Sequence, residues 1–535
     1  MTFLLHHLLS ESAKKYPNRK AIIFKDETIT YQELEQTSNK LANTLIEIGV
    51  SRGDRVGIYM SKSISSIVCI FGILKAGGIY VPIAPEAPAK RVDYILRNCG
   101  IKCLLSVRDK IAQLEKAFQA DCPIEKIILT NYESTDSKLP AEFITWETIL
   151  NSTKNYPPVL NLIDRDLAYI LYTSGSTGDP KGVMLSHLNS LTFVNWAQEF
   201  FQIRKEDRVA NHSPLHFDLS VFDIFATIKA GATVVIIPDG TSSFPIRLAE
   251  LIEKERITVW NSVPSVLVLL TMYGKLDRFE FPNLRLVLFA GEKFPIKYIR
   301  QLKKHIQHAD FYNQYGQTEA NSSTYYHVEN LPDDDGGQIP IGKPAANFEV
   351  FAIDENNNII SRPGEVGELY VCGSSVAQGY WGNIEKTKLA FVDNPLRNGS
   401  REKSYKTGDL VTIDEVGNYV FLSRRDNMVK SRGYRIELGE IETVILSHPG
   451  VKEVAVVAIP DDLIGNRIKA FLVPFEEDKL TEREIIKYCS ERILKYMIPE
   501  IIEFRKYLPR TSTGKVDKKS LVKETQSKGA QCVFS

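Results

Sequence analysis

Leu171-Tyr-Thr-Ser-Gly-Ser-Thr-Gly-Asp-Pro-Lys-Gly-Val-Met-Leu-Ser-His187 is the stretch around which the chain is organised. The apolar run Leu167–Tyr172 before it has the length and composition of a buried strand, and Leu188–Phe201 after it has the apolar spacing of a helix. Between them lie the hydroxyls of Thr173, Ser174, Ser176 and Thr177, the glycines Gly175 and Gly178, and Lys181. Glycines let backbone N–H groups turn toward an anion, and hydroxyls and a lysine add donors, so the loop suits a polyphosphate. It is not a Walker A loop, because the spacing G-x-x-x-x-G-K-[ST] is absent.

Working outward, strands alternate with helices. Thr30 caps a helix running to Ile48 and ending at Gly49, and Val56–Met60 is a strand followed by the helix Ile64–Lys75. Tyr80–Ile83, Lys102–Ser106 and Lys126–Thr130 continue the alternation, which predicts parallel α/β layers. Asn151–Pro158 is a polar linker. The middle third repeats the pattern with Val209–His212, Thr233–Ile237, Val259–Asn261 and Leu286–Phe289. Polar groups follow several of these strands: His216-Phe-Asp-Leu-Ser220, Asn261–Ser265, Ala290-Gly-Glu292 and Asn313–Glu319. Polar residues at the carboxyl ends of sheet strands mark a ligand crevice. From about 338 to 425 short strands and turns predict a β-rich subdomain, and the charged run Arg424–Lys430 reads as an exposed boundary. A smaller domain follows, with helices over Ile436–Ser447 and Glu482–Leu494, a strand over Val451–Ile459 and a disordered end from about Thr525.

At 535 residues the chain exceeds the roughly 250–300 at which one core stops growing, so more than one domain is required. Lys+Arg and Asp+Glu both total 66, which leaves no basic excess for nucleic acid. Seven cysteines form no CxxC pair and read as reduced thiols of a cytoplasmic protein. No apolar run reaches the ~18 residues of a membrane span, and Phe3–Leu9 lacks the basic region of a signal peptide.

The loop, with its flanking motifs, resembles that of the adenylate-forming enzymes: acyl-CoA ligases, luciferases and amino-acid adenylation domains. Thr30–Leu34, Leu74–Pro82, Gly367–Trp381, Thr407-Gly-Asp409, Arg424–Glu440 and Leu508–Lys515 are similar to signatures of the amino-acid branch, in the same order. The resemblance implies a large N-terminal domain, 1–425, of α/β subdomains plus a β-barrel-like subdomain. A small mobile α+β domain over 426–525 would follow, hinged at Asp426, with 526–535 a disordered tail.

It further implies ATP and Mg²⁺. Thr173 to Gly178 and Lys181 would serve the phosphates, with Thr173, Lys181 and Lys515 catalytic. Tyr315 would face adenine, with Gly291, Glu292, Asn313, Gln314, Gly316 and Thr318 around it. Asp409, on a β-turn, and Arg424 would reach the ribose; Phe421 and Lys430 also belong to the nucleotide site, and Glu319 would hold magnesium. Where relatives often carry proline this chain has Gln317, a departure expected to be tolerated because the backbone turn is what matters.

Asp218 would pair with a substrate α-ammonium, which points to an amino acid rather than a fatty or aryl acid. The side-chain pocket would be Leu219, Phe222, Asn261, Leu288, Ala290, Gln314, Ser322 and Ser323, uncharged and fit for a small or cyclic neutral residue. Overall likeness is greatest to stand-alone prolyl–carrier-protein ligases of the pyrrole or anatoxin type, with L-proline as substrate. No carrier attachment segment follows Lys515, so the acceptor would be the phosphopantetheine thiol of a separate acyl or peptidyl carrier protein, reached past Gly433. A D-alanine–carrier ligase, an acyl-CoA ligase and a non-catalytic nucleotide-binding protein are the alternatives.

Overall fold

A computed structural model describes residues 2–118, 121–131, 137–175, 179–332, 337–397, 402–425, 428–476, 480–510 and 516–531, the last six by backbone only. Ser176, Thr177, Gly178, Asp426 and Lys515 lie outside the described residues. The chain divides into two compact units.

The first comprises 1–85, 95–172 and 182–425. Its nine-stranded sheet runs Lys343–Pro344, Asn321–His327, Asp310–Gln317, Leu286–Ala290, Val259–Ser262, Arg208–Asn211, Thr233–Ile236, Lys20–Phe24, Glu27–Thr30. The pairings from Lys20–Phe24 to Asp310–Gln317 are parallel, with antiparallel strands at both edges. A seven-stranded sheet is ordered Glu142–Thr145, Lys126–Leu129, Cys103–Ser106, Arg55–Tyr59, Ile79–Pro82, Leu167–Thr173, Lys181–Ser186. Its central strands Arg55–Tyr59, Ile79–Pro82, Cys103–Ser106 and Leu167–Thr173 are apolar and almost wholly buried, as parallel strands covered on both faces are. The region read as β-rich is a five-stranded antiparallel sheet built on Val366–Cys372 and Lys403–Ile413. One apolar core runs from Leu5 and Leu41 through Phe71, Phe222 and Phe225 to Val371 and Tyr405.

Local chemistry sets the helix starts. Thr30 and Glu33 form a reciprocal cap, Glu33 N–H to Thr30 Oγ1 at 3.2 Å and Thr30 N–H to Glu33 Oε2 at 2.8 Å. Ser186 and Asn189 do the same for His187–Phe200. The Asn189 amide also donates to the carbonyls of Ser374 and Val376, both at 2.8 Å, tying this helix to the β-rich region. Lys181–Ser186 is a strand rather than the end of the loop: Val183 and Leu185 are buried, and Trp381 N–H donates to Gly182 O at 2.7 Å.

The second unit comprises 86–94, 173–181 and 426–535. The second of these segments holds the Gly/Ser loop, which the sequence places in the large domain. Val451–Asp461, Gly465–Pro474 and Ile501–Phe504 form its three-stranded sheet. Leu508 and Leu521 pack on Ala455, Val457, Phe471 and Val473. The helix Lys518–Gln531 runs through Thr525, whose Oγ1 donates to Leu521 O at 3.0 Å. The helix expected from Ile436 begins at Leu438 instead. Arg432 and Gly433 both have positive φ, 52° and 80°, the two-residue turn that matches strand twist, so Tyr434–Glu437 pairs back on Met428–Ser431. Among the described residues no helix is long and apolar enough to cross a membrane.

Candidate active site

Parallel strands align their carboxyl ends, and the register brings the expected pocket residues together. Asn261 pairs with Leu288 and Ala290 with Gln314, which puts all four on one face of the nine-stranded sheet. Ser322 and Ser323 follow on the antiparallel strand Asn321–His327, both buried. Asp218 and Leu219 open a short helical turn, and Phe222 begins a π-helical segment, Phe222–Ala226, that is wholly buried.

That extra-wide turn delivers Asp223, a residue sequence reading missed. It is fully buried and receives Asn261 Nδ2 at 2.9 Å and Asn211 Nδ2 at 3.2 Å. Burial pushes its carboxyl up to about 7, against the two amide hydrogen bonds. Lys62, also buried, donates to the carbonyls of Asn211 at 2.9 Å and His212 at 2.5 Å; burial draws its ammonium down to about 8. The same desolvation lowers His212 to about 3, so its ring is neutral against Ser242 Oγ at 2.6 Å. No spacing rule connects Lys62 with Asp223; only the sheet does.

The turn Thr318–Ala320, just past Tyr315–Gln317, closes the hairpin between Asp310–Gln317 and Asn321–His327. Gly316 is obligatory there, because a Cβ would lie 1.7 Å from Asn321 O. Thr318 Oγ1 donates to Asp218 Oδ2 at 3.1 Å, which links the expected ammonium partner to the turn expected to meet the nucleotide. Glu319 is fully buried and accepts from Tyr380 Oη at 2.8 Å. Asn313 donates to Pro340 O at 2.7 Å, and Gln338 to Phe421 O at 2.7 Å. Gly291, with φ 98°, bends the chain after Leu286–Ala290, and Glu292 Oε2 accepts from Ser265 N–H at 3.1 Å, at the start of the helix Pro264–Tyr273.

Thr407-Gly-Asp409 is not the expected β-turn. It is a bulge inside Lys403–Ile413, where pairing jumps from Glu368↔Leu410 to Tyr370↔Lys406 and Gly408 takes φ 75°. The bulge aims Asp409 inward. Arg424 Nη1 meets Asp409 Oδ1 at 2.5 Å, while Oδ2 accepts from Tyr315 Oη at 2.5 Å and Gln317 Nε2 at 2.6 Å. Arg424 is therefore only partly exposed, its side chain 9% accessible, because its charge is answered within the sheet. Burial and the Asp409 charge hold the Tyr315 phenol well above its ordinary value, so it stays a donor. The Gln317 side chain is engaged, contrary to the expectation that only its backbone counts.

In the second unit Gly175 N–H donates to Glu440 Oε2 at 3.1 Å and Ser174 Oγ to Arg435 O at 2.8 Å. Arg91 Nη1 meets Glu440 Oε1 at 2.6 Å, with both side chains buried, and Lys181 Nζ lies 4.0 Å from Glu437 Oε1. The Thr173 hydroxyl is buried with no hydrogen-bond partner among the described residues. Lys430 lies on the strand Met428–Ser431 and Gly433 at the turn that follows.

A family model for AMP-binding enzymes matches residues 9–381, and one for the AMP-binding enzyme C-terminal domain matches 440–515. The chain is 34% identical over 523 residues to an L-proline–[L-prolyl-carrier protein] ligase of Pseudomonas fluorescens, covering 98% of this chain and 99% of that protein. It is also 34% identical to zwittermicin A synthase ZmaJ of Bacillus cereus, over 97% of this chain and 95% of the relative. Among solved structures, the Vibrio cholerae adenylation domain AlmE, in complex with glycyl-adenosine-5′-phosphate, superposes with a TM-score of 0.84 at 25% identity, covering 98% of each chain.

Proposed function

The chain belongs to the AMP-binding enzyme family, and from that premise we propose that it activates a small neutral amino acid, L-proline, as the aminoacyl-adenylate and passes it to a carrier protein. A carboxylate oxygen of the amino acid attacks the α-phosphorus of ATP, and the bond to pyrophosphate breaks. The phosphopantetheine thiol of a separate holo carrier protein then attacks the acyl carbon, loses its proton, and AMP leaves. The observation that carries this reading is the 3.1 Å hydrogen bond from Thr318 to Asp218. It sets a carboxylate suited to an α-ammonium against the turn that bears the nucleotide motif. The uncharged face of Asn261, Leu288, Ala290 and Gln314 suits a neutral side chain. Similarity along the whole length of a prolyl-carrier ligase favours proline.

Charge builds on the phosphoryl oxygens in the first step and must be met by fixed donors. Thr173 to Thr177, Lys181 and Lys515 are the donors assigned here. Glu319 is the assigned Mg²⁺ ligand. Among the described residues no group of three or more ligand side chains gathers, and a single buried carboxylate fits an ion that keeps water and phosphate as its other ligands. Bound there, Mg²⁺ would neutralise phosphate charge; Tyr380 orients the carboxylate toward that task. Asp426 serves as the hinge between the half-reactions, with Lys515 used in the first and Gly433 in the second.

ATP–pyrophosphate exchange with an amino-acid panel tests the reading. L-proline should give the fastest exchange, and Asp218→Asn should raise the KM for the amino acid far more than that for ATP. Fastest exchange with D-alanine would make the chain a D-alanine–carrier ligase. Thioester formation with coenzyme A in place of holo carrier would make it an acyl-CoA ligase.

A further inference from the structure

We propose that Gln317 is a positioning residue for ribose recognition, its side-chain amide holding the Asp409 carboxylate and the Tyr315 hydroxyl in the arrangement that receives the sugar. The inference rests on Asp409 as the ribose acceptor.

Gln317 is 4% exposed and lies at the end of Asp310–Gln317, while Asp409 comes from the bulge in Lys403–Ile413. Its Nε2 is 2.6 Å from both Asp409 Oδ2 and Tyr315 Oη, and Tyr315 Oη itself donates to the same Oδ2. With Arg424 on Oδ1, three donors converge on one carboxylate. An ionised carboxylate offers about four acceptor positions, so the two on Oδ2 are spoken for and the free capacity is confined to Oδ1. Asp409 thus presents one defined edge instead of a rotating carboxylate. The arrangement does not serve Gln317 itself, because its carbonyl Oε1 stays buried without a hydrogen-bond partner among the described residues. A buried idle acceptor is costly, so a residue that only filled space would more cheaply be apolar. The amide is kept for what its N–H₂ does to Asp409.

Kinetics of pyrophosphate exchange with ATP, 2′-deoxy-ATP and 3′-deoxy-ATP, on the full chain, distinguish positioning from mere packing. Gln317→Met keeps the volume and removes both amide groups. We expect it to raise the KM for ATP about tenfold, the size of one charge-assisted hydrogen bond. The deoxy analogues, which already lack part of the sugar contact, should lose less, so the preference for ATP shrinks while the KM for the amino acid holds. Equal KM increases for ATP and both analogues would reduce Gln317 to packing and overturn the proposal. If wild type prefers ATP and Gln317→Met keeps that preference in full, the inference fails while the ribose role of Asp409 stands. If wild type and Asp409→Asn both treat ATP and its deoxy analogues alike, the ribose role itself fails and takes the inference with it.

Discussion

Asp409 of the first unit and Glu440 of the second are both buried carboxylates answered by an arginine, Arg424 at 2.5 Å and Arg91 at 2.6 Å. They differ in what else answers them. Asp409 sits on a strand bulge and collects two side-chain donors, a phenol and an amide, which hold its geometry from within the sheets. Glu440 sits in the first turn of Leu438–Leu446, and its other oxygen accepts a backbone N–H, that of Gly175 in the Gly/Ser loop. Burial keeps the Glu440 carboxyl above the usual range despite Arg91 and that hydrogen bond. A site built on strands can afford several redundant donors; a loop amide met by one carboxylate depends on a single charge partner.

The largest test of that difference is Arg91→Ala. Removing one member of a buried ion pair strands the other and typically costs about 3–5 kcal/mol. Hydrogen exchange of the Val451–Asp461 and Gly465–Pro474 amides should speed up accordingly. The loss should grow as pH rises, because without Arg91 the buried Glu440 carboxyl is raised further. A carboxyl whose folded value is raised binds more protons folded than unfolded, so its contribution is present at low pH and is lost as pH rises through the folded value. A loss below about 1 kcal/mol would mean that Glu440 does not rely on Arg91.

Arg424→Ala should cost less, about 1.5–3 kcal/mol, because the Tyr315 and Gln317 donors remain on Asp409. Its main signature should be a higher KM for ATP. Equal stability losses in the two arginine variants would remove the contrast between redundant and single partners.

Most of the fold was legible because its signals are local: apolar runs for the parallel strands, Thr30 for a cap, Gly49 for a helix end. The resemblance named the pocket positions, and the register Asn261↔Leu288 and Ala290↔Gln314 puts four of them on one face. What escaped has a physical reason in each case. Asp223 needs a π-helical turn that no 3.6-residue periodicity reports. Lys62 reads as an ordinary charged residue 161 positions before its neighbour Asp223. Thr407-Gly-Asp409 carries the composition of a turn, and only pairing on both sides makes it a bulge. Gln317 looked incidental because its partners, Tyr315 apart, lie 92 residues away in the chain.

The buried cluster under the pocket face gives a third kind of carboxylate, with amides and no paired arginine. Asp223 is displaced from its ordinary value of 3.8 up to about 7, so stability should fall between those limits, by at most about 1.4 kcal/mol per pH unit. Lys62 is drawn from 10.5 down to about 8, so in its folded state it sheds protons that the unfolded chain keeps, and stability should climb again above pH 8. Together they predict a minimum near neutral pH. Asp223→Asn should abolish the falling limb in denaturant titrations and leave the rising limb, since the amide keeps no titrating group there. A falling limb that survived the substitution would assign it to other groups.

The smallest effect concerns the loop's second tie. Ser174 Oγ donates to Arg435 O at 2.8 Å, a neutral hydrogen bond worth about 1 kcal/mol net. Ser174→Ala removes the donor and leaves the Gly175–Glu440 contact and the Arg91 pair in place. If the loop depends chiefly on the charged partner, exchange at the Gly175 amide should rise only about fivefold in Ser174→Ala, the factor that ~1 kcal/mol allows. In Glu440→Gln, where the acceptor loses its charge, the same amide should exchange faster still. The order of those two variants is the measurement that matters. Faster exchange in Ser174→Ala than in Glu440→Gln would show the hydroxyl, not the carboxylate, to be what holds the loop, and the contrast with Asp409 would then rest on hydrogen-bond count rather than on charge.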